Sequence, residues 1–390
     1  MKIAKVEAIP FHEDRDRAVV SGTAGSPAQL QSGASAYRWA ENYPVLYSTR
    51  FETALVRVTL ESGLSGWGEA QAPVAPEVAC AVVNHILAPV LEGREFGGDI
   101  LEIEQLWWRM YSAMRVRGQT GGFMLDGIAG VDLALWDLAG KLARRSVSEL
   151  LRGTRTLMPA YLSGLPGRDP ERVREFAAAG FTTVKIFHDT DEASLLRNID
   201  AVRKILPAGG SVAGSSVAGG SVAVDALWRL DATSAPQLAS ELQARDCRWL
   251  EAPLAPESAR EHGALAARVG IPIALGESYR TLFELEPFFE ASAMGIVQPD
   301  LGRTGITEGL RIARAAQARG LQVIPHVSIA LGPQLAAAIH FAAALPNCPL
   351  LEFNPTVLET ANRHLLEPIR MEGAAYQLPA GPGLGVHLRS

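Results

Sequence analysis

The chain has 390 residues, 48% hydrophobic and 20% charged, with 36 Lys/Arg against 42 Asp/Glu and a formal net charge of −6. Such a length exceeds one ordinary domain, so two cores or one large core with an annex are expected. A mildly acidic chain without any Lys/Arg run argues against nucleic acid or an anionic membrane as the main partner.

The opening MKIAKVEAIPF lacks the apolar core and small-residue cleavage site of a signal peptide. No stretch approaches the roughly 18 uninterrupted apolar residues that span a bilayer. Cys80, Cys247 and Cys348 are widely spaced with no CxxC, which reads as reduced core thiols in a cytoplasmic protein. Residues 2–10 alternate as a strand does, and FETALVRVTLESGLSGWGEA reads as a hairpin turning at Glu61-Ser62-Gly63. Between them, residues 12–48 are irregular and rich in Ser, Gly and Ala, with Tyr37, Trp39, Tyr43 and Tyr47 among them. A structureless stretch of that length in an enzyme is expected to be a lid or binding loop. Helical patterns follow at 76–92, 99–114 and 124–144, and the last is apolar nearly all round, so it should be buried.

From about residue 157 the pattern alternates between strand and helix. The strand-like runs are LMPAYLSGL, TTVKIF, SVAVD, CRWLE, PIALGE, GIVQPD, LQVIPH and PLLEF. Six of them close on Asp225, Glu251, Glu277, Asp300, His326 and Glu352, at spacings of 26, 26, 23, 26 and 26 residues. One such period is one βα unit, and eight strands make a TIM-type barrel, whose chemistry sits at the C-terminal strand ends. Solvated loop charges would explain one or two of these residues, but not six in register. The stretch GGSVAGSSVAGGSVAVD interrupts the period and reads as a flexible, non-catalytic insertion at 209–223, on the face opposite the site.

Asp225, Glu251 and Glu277 end three consecutive strands about 4.8 Å apart, so their side chains can converge. Oxygen donors without nearby Cys or His suit Mg²⁺ rather than Zn²⁺, and three adjacent carboxylates without a cation repel one another. Asp300 and His326 follow on the next two strands; a carboxylate beside an imidazole fixes its tautomer and raises its basicity, which makes His326 a candidate general base. Glu352 on the eighth strand could donate to a developing oxyanion if its pKa is raised. Lys185 ends the second strand, where a cationic, desolvated site should lower its pKa. A metal, a base on one side and a cation on the other describe removal of a proton α to a carboxylate, with the enediolate stabilised by Mg²⁺.

The chain resembles the enolase superfamily, mandelate racemase subgroup, along nearly its whole length. The resemblance is carried by GWGEA (66–70), GVDLALWDLAGK (130–141), VKIF (184–187), WLEAPL (249–254), ALGES (274–278), VQPDLGRTGITE (297–308), IPHVS (324–328) and GPGLG (381–385), in that order. A Lys or His base working with Mg²⁺ is itself the pattern known for that superfamily. The resemblance implies an α/β barrel closed by an α+β capping domain made from the N-terminal third and the C-terminal tail. The corresponding division is capping domain 1–125, barrel 126–362 and returning segment 363–390. It matches Asp225, Glu251 and Glu277 to the metal ligands, Asp300 with His326 to the base dyad, Glu352 to the eighth-strand electrophile and Lys185 to the first lysine of a Lys-x-Lys pair. Two positions depart from the subgroup: Phe187 stands where the second lysine is usual, and Leu227 where an Asp-x-Asn motif has Asn. Without that second base, racemisation becomes less favoured.

The leading expectation is a Mg²⁺-dependent hydro-lyase that dehydrates a sugar acid to a 2-keto-3-deoxy acid. One imidazole can act as base and then acid when both groups leave from one face. An epimerase, racemase or lactone cycloisomerase with Lys185 as the opposite acid is the second expectation, and a catalytically silent binding barrel the third. Partners are expected to be a small-molecule carboxylate and further copies of the chain, with neither nucleic acid nor membrane. Specificity should come from the 12–48 loop and from residues 111–123.

Overall fold

The computed structural model describes residues 1–14, 36–40, 45–164, 170–206, 210–212, 215–217 and 220–389. Alternating apolar residues build the first sheet, in which β1 (Ile3–Asp14) pairs antiparallel with β4 (Arg50–Leu60), and β4 with β5 (Ser65–Ala70). The turn between β4 and β5 lies where expected: Gly63 has φ +83° and its N–H donates to Leu60 O at 2.9 Å. The 12–48 segment departs from the structureless reading. β1 runs on to Asp14, and β2 (Tyr37–Ala40) pairs with β3 (Val45–Ser48) as an antiparallel hairpin. Tyr43 and the remainder of that segment, 15–35 and 41–44, lie outside the described residues.

The first helical stretch is interrupted by a π-turn, running as Pro76–Val82, Val83–Leu87 and Ala88–Leu91. The second, Ile100–Arg115, starts in a capping box in which Asp99 accepts from Leu101 N and Glu102 reaches back to the Asp99 N–H. The third, Phe123–Ala143, is buried at every position from Met124 to Gly140, which is why its sequence shows no polar face. β5 lies so close to it that a Cβ at Gly68 would sit 2.0 Å from Gly130 O, and one at Gly66 2.2 Å from Ala134 O. Three aspartates on this helix tie distant parts together. Asp126 holds Arg280 through two nitrogens at 3.0 and 3.2 Å. Asp132 accepts from Ile306 N (2.7 Å) and Thr307 N (3.0 Å) where a second helix, Leu301–Gln317, is kinked at Gly305. Asp137 accepts from Trp67 N (2.8 Å) and Leu384 N (2.9 Å).

The TIM-type barrel follows. Its parallel strands are β6 (Leu157–Leu162), β7 (Thr183–Phe187), β10 (Ser221–Asp225), β11 (Leu250–Glu251), β12 (Ile273–Leu275), β13 (Ile296–Val297), β14 (Gln322–Val323) and β15 (Leu351–Phe353). They pair in the order β15-β6-β7-β10-β11-β12-β13-β14. Across the seam between the last and first of these, Val323 N donates to Asn347 O at 3.1 Å. Within the 209–223 insertion, β8 (Gly210–Val212) and β9 (Ser215–Val217) form a small antiparallel hairpin ahead of β10, while residues 209, 213–214 and 218–219 lie outside the described residues. The tail returns as β16 (Met371–Glu372) and β17 (Ala375–Gln377), and β17 pairs antiparallel with β6. All three cysteines are buried and free, and burial pushes the Cys348 thiol up to about 12. Among the described residues no helix is long and apolar enough to cross a membrane.

Candidate active site

Inside the barrel, Tyr161, Ala223, Trp249, Ala274, Ile296, Ile324 and Leu350 form one buried cluster. Side chains on a strand alternate with period two, so the next inward position on each strand is two residues later. Those positions are Ser163, Asp225, Glu251, Gly276, Gln298, His326 and Glu352. A dry layer is therefore followed, one pleat toward the C-terminal ends, by a layer that is polar almost throughout. Gly276 has φ +150° and leaves room only for backbone, since a Cβ there would lie 2.4 Å from Gln298 N; Glu277 follows it.

Lys185 is 1% exposed and central to this layer. Its Nζ lies 2.5 Å from Glu251 Oε1, 2.9 Å from Glu352 Oε1 and 3.9 Å from Asp225 Oδ2. Burial alone would push its pKa down, yet the carboxylates of Glu251, Glu352 and Asp225 outweigh burial and hold it well above the ordinary lysine range. The expected lowering is corrected: the nearest charges are anions, so Lys185 is held as an ammonium. Glu352 is corrected in the same way. Burial raises its pKa, but Lys185 and His326 lower it further, leaving a carboxylate that accepts from Val327 N at 2.9 Å rather than an acid ready to donate.

His326 and Asp300 come together as expected, with Nδ1 2.7 Å from Asp300 Oδ2. Asp300 is itself fixed at Oδ1 by Gly302 N and by Gln334 Nε2, both at 2.9 Å. The other imidazole nitrogen, Nε2, meets Glu277 Oε2 at 3.0 Å. Burial opposes an imidazolium here, but Glu277 and Glu352 with the two hydrogen bonds hold the pKa well above the usual value. The same contact, against burial, draws Glu277 down to about 2. Losing it frees Nε2 to accept a proton.

The three proposed metal ligands lie at neighbouring strand ends but are engaged with other partners. Glu251 also accepts from Gln298 Nε2 (2.7 Å) and Trp249 Nε1 (3.0 Å), Glu277 from Trp228 Nε1 (2.8 Å), and Asp225 from Leu227 N (2.9 Å). Among the described residues no three His, Cys, Asp or Glu side chains form a ready-made cage for an ion. The donor chemistry nonetheless fits a hard cation. Burial first, and then the charge of neighbouring carboxylates, push Asp225 well above its usual range, and burial with Glu352 and Glu277 raises Glu251. Positive charge among them would relieve that repulsion.

A cavity of about 450 Å³ opens over this layer, lined by Lys185, Phe187, Asp225, Glu277, His326 and Glu352 from the barrel and by Leu46, Tyr47 and Gln71 from the N-terminal third. Glu251 and Asp300 lie behind its wall. None of residues 111–123 is among the lining residues, so that expectation of specificity is corrected. Tyr111 instead stacks on Trp107 and on Phe283, away from the mouth. Four supporting residues escaped sequence reading: Ser163, Trp228, Trp249 and Gln298. Strand parity with Glu352, Glu251 and Asp300 could have found three of them. Trp228 depends on two successive residues, Leu227 and Trp228, with φ +56° and +58°, a conformation no local signal announced.

Comparison with known proteins shows the family and the fold. Residues 39–152 match the mandelate racemase / muconate lactonizing enzyme N-terminal domain and residues 169–390 the enolase C-terminal domain-like family. The chain is 32% identical to a D-galactarolactone cycloisomerase of Agrobacterium fabrum, covering 87% of this chain and 91% of that protein. It is 35% identical to a D-galactonate dehydratase of Xanthomonas oryzae, covering 85% and 88% respectively. A crystal structure of an enolase-superfamily member from Agrobacterium tumefaciens superposes with a TM-score of 0.89 at 31% identity, covering 100% of this chain and 97% of the other.

Proposed function

The chain belongs to the enolase superfamily, in its mandelate racemase / muconate lactonizing enzyme group, and from that premise we propose that it is a Mg²⁺-dependent dehydratase of a sugar acid. The observation that supports this most is the His326–Asp300 pair at 2.7 Å, facing the same cavity as Lys185. Asp225, Glu251 and Glu277 would hold the ion. Bound Mg²⁺ supplies positive charge to the substrate carboxylate. His326, with Nδ1–H donated to Asp300, removes the α-proton at Nε2. Lys185 stays charged and meets the negative charge that builds on the carboxylate as the proton leaves. His326 then returns its proton to the departing β-hydroxyl, so one side chain serves both halves of the elimination. Phe187 puts an apolar ring on the second-strand face, 5.8 Å from Lys185 Nζ, where a second base would be needed to invert the carbon.

A lactone cycloisomerase is the second reading, favoured by the cycloisomerase relative and by a lysine held in its proton-donating form. The chain division 1–125, 126–362 and 363–390 belongs to the same proposal, with the 12–48 segment closing over bound ligand and the protein assembling from copies of itself. The test is product analysis with Mg²⁺ across aldonic, aldaric and lactone substrates. A 2-keto-3-deoxy acid supports dehydration, an isomer of unchanged mass supports the second reading, and no turnover together with no exchange of any α-proton into deuterated solvent overturns both.

A further inference from the structure

Arg303 is a cation of this cavity that the chemistry above leaves unused. It lines the cavity three residues after Asp300, near the start of the helix Leu301–Gln317. Its Nε is buried and has no hydrogen-bond partner, and among the described residues no carboxylate lies within ion-pair distance of it. Asp126 feels its charge only at longer range and is already held at both oxygens by Arg280. Arg363, which also lines the cavity, differs: Glu13 and Glu359 neutralise it. A buried guanidinium nitrogen without a partner is costly unless something binds there.

A second observation lies beside it. Gln71 is 1% exposed, lines the same cavity, and its Oε1 has no hydrogen-bond partner. Its Nε2 donates to Ser328 Oγ at 2.5 Å, and its backbone N–H donates to Gly302 O at 2.9 Å. Arg303, Gln71 and Ser328 therefore gather where the first sheet meets the sixth and seventh barrel strands. Lys185, Asp225 and Glu352 belong to other strands of the barrel, so the cavity carries a second polar group besides the one assigned to the reacting carboxylate.

We propose that Arg303, with Gln71 and Ser328, forms a distal subsite for a second carboxylate, and that the substrate is a dicarboxylic sugar acid or its lactone. A planar guanidinium takes a carboxylate through two parallel hydrogen bonds, while the free Gln71 oxygen accepts from a neighbouring hydroxyl. This inference rests on the sugar-acid reading above. It divides the aldarates, which carry a carboxylate at both ends, from the aldonates, which end in a neutral hydroxymethyl group.

The test compares a six-carbon aldarate with the aldonate of the same configuration, using the full chain with Mg²⁺. Wild-type kcat/KM should favour the aldarate by about 100-fold, as expected for pairing a desolvated charge. Arg303→Met should remove most of that preference, with the loss on the aldonate at least about tenfold smaller than on the aldarate, and Arg303→Lys should fall between. Thermal melting of each variant separates misfolding from lost recognition. Equal loss on both substrates, or a wild type that prefers the aldonate, overturns the subsite. If no acid is turned over, calorimetric titration with the same two acids decides: tighter aldarate binding that Arg303→Met abolishes retains the subsite while the reaction assignment falls, and equal binding removes both.

Discussion

Two sets of buried carboxylates divide the labour in this molecule. Asp126, Asp132 and Asp137 sit on one helix, and Asp225, Glu251, Glu277 and Glu352 at the barrel strand ends; all are buried except Glu277, whose side chain is 20% exposed. Those of the helix accept mainly from backbone N–H groups or from an arginine or lysine of their own. Those of the barrel share a single lysine and a single imidazole, and each raises the cost of charging its neighbour. Burial alone thus does not distinguish a structural acid from a reactive one. The distinction lies in whether each carboxylate has its own fixed partner or competes for a common one.

The largest effect should come from breaking the competing set at its base. His326→Asn is expected to keep the fold and lose turnover by about 10³-fold or more, with α-proton exchange abolished. Lys185→Met should cost about 10²-fold in kcat while slow exchange survives. Exchange lost in Lys185→Met but retained in His326→Asn, read by mass spectrometry in deuterated water, would exchange the two roles and place the base on the second barrel strand.

The comparison is sharpest in stability. Asp132→Ala leaves two backbone N–H groups and a threonine hydroxyl without their acceptor, and should lower stability by about 3 kcal/mol. Asp225→Asn, measured without divalent cation, should leave the melting temperature unchanged or raise it, because it removes a charge its neighbours oppose. Destabilisation by both would show that the strand-end acids are structural as well.

A smaller effect follows from pH. Burial raises Asp132 and Glu69 to about 7 in the fold, from 3.8 and 4.5. A raised acid favours the folded state when protonated, so this contribution is full below those lower values and is lost as pH rises through about 7. Melting temperature should therefore fall from pH 5 to pH 8, with a shallower slope in Glu69→Gln. The smallest change is expected away from both sets: shortening the 209–220 insertion should alter stability and turnover within about 0.5 kcal/mol.

Much of the barrel and its site is legible in the sequence because both rest on periodicity. A strand buried on both faces is an apolar run, its successor follows one βα unit later, and the last inward residue of each strand must face the mouth. These rules place Asp225, Glu251, His326 and Glu352 in one layer directly from their spacing. They do not reach Trp228, whose backbone turns through two left-handed residues, or the β2–β3 hairpin, whose short strands lie within a Ser- and Gly-rich segment.

The sequence by itself determined the eight strands, the capping segment's hairpin, the buried helix and the identities of the groups at the strand ends, since each follows from alternation, spacing or residue type along the chain. Only the tertiary structure decided who partners whom. Lys185 has Glu251 and Glu352 as neighbours 66 and 167 residues away in the chain, so its pKa rises instead of falling, and Glu352 becomes an acceptor instead of a donor. Ionisation depends on charges within a few ångströms in space, and closure of the barrel sets that distance.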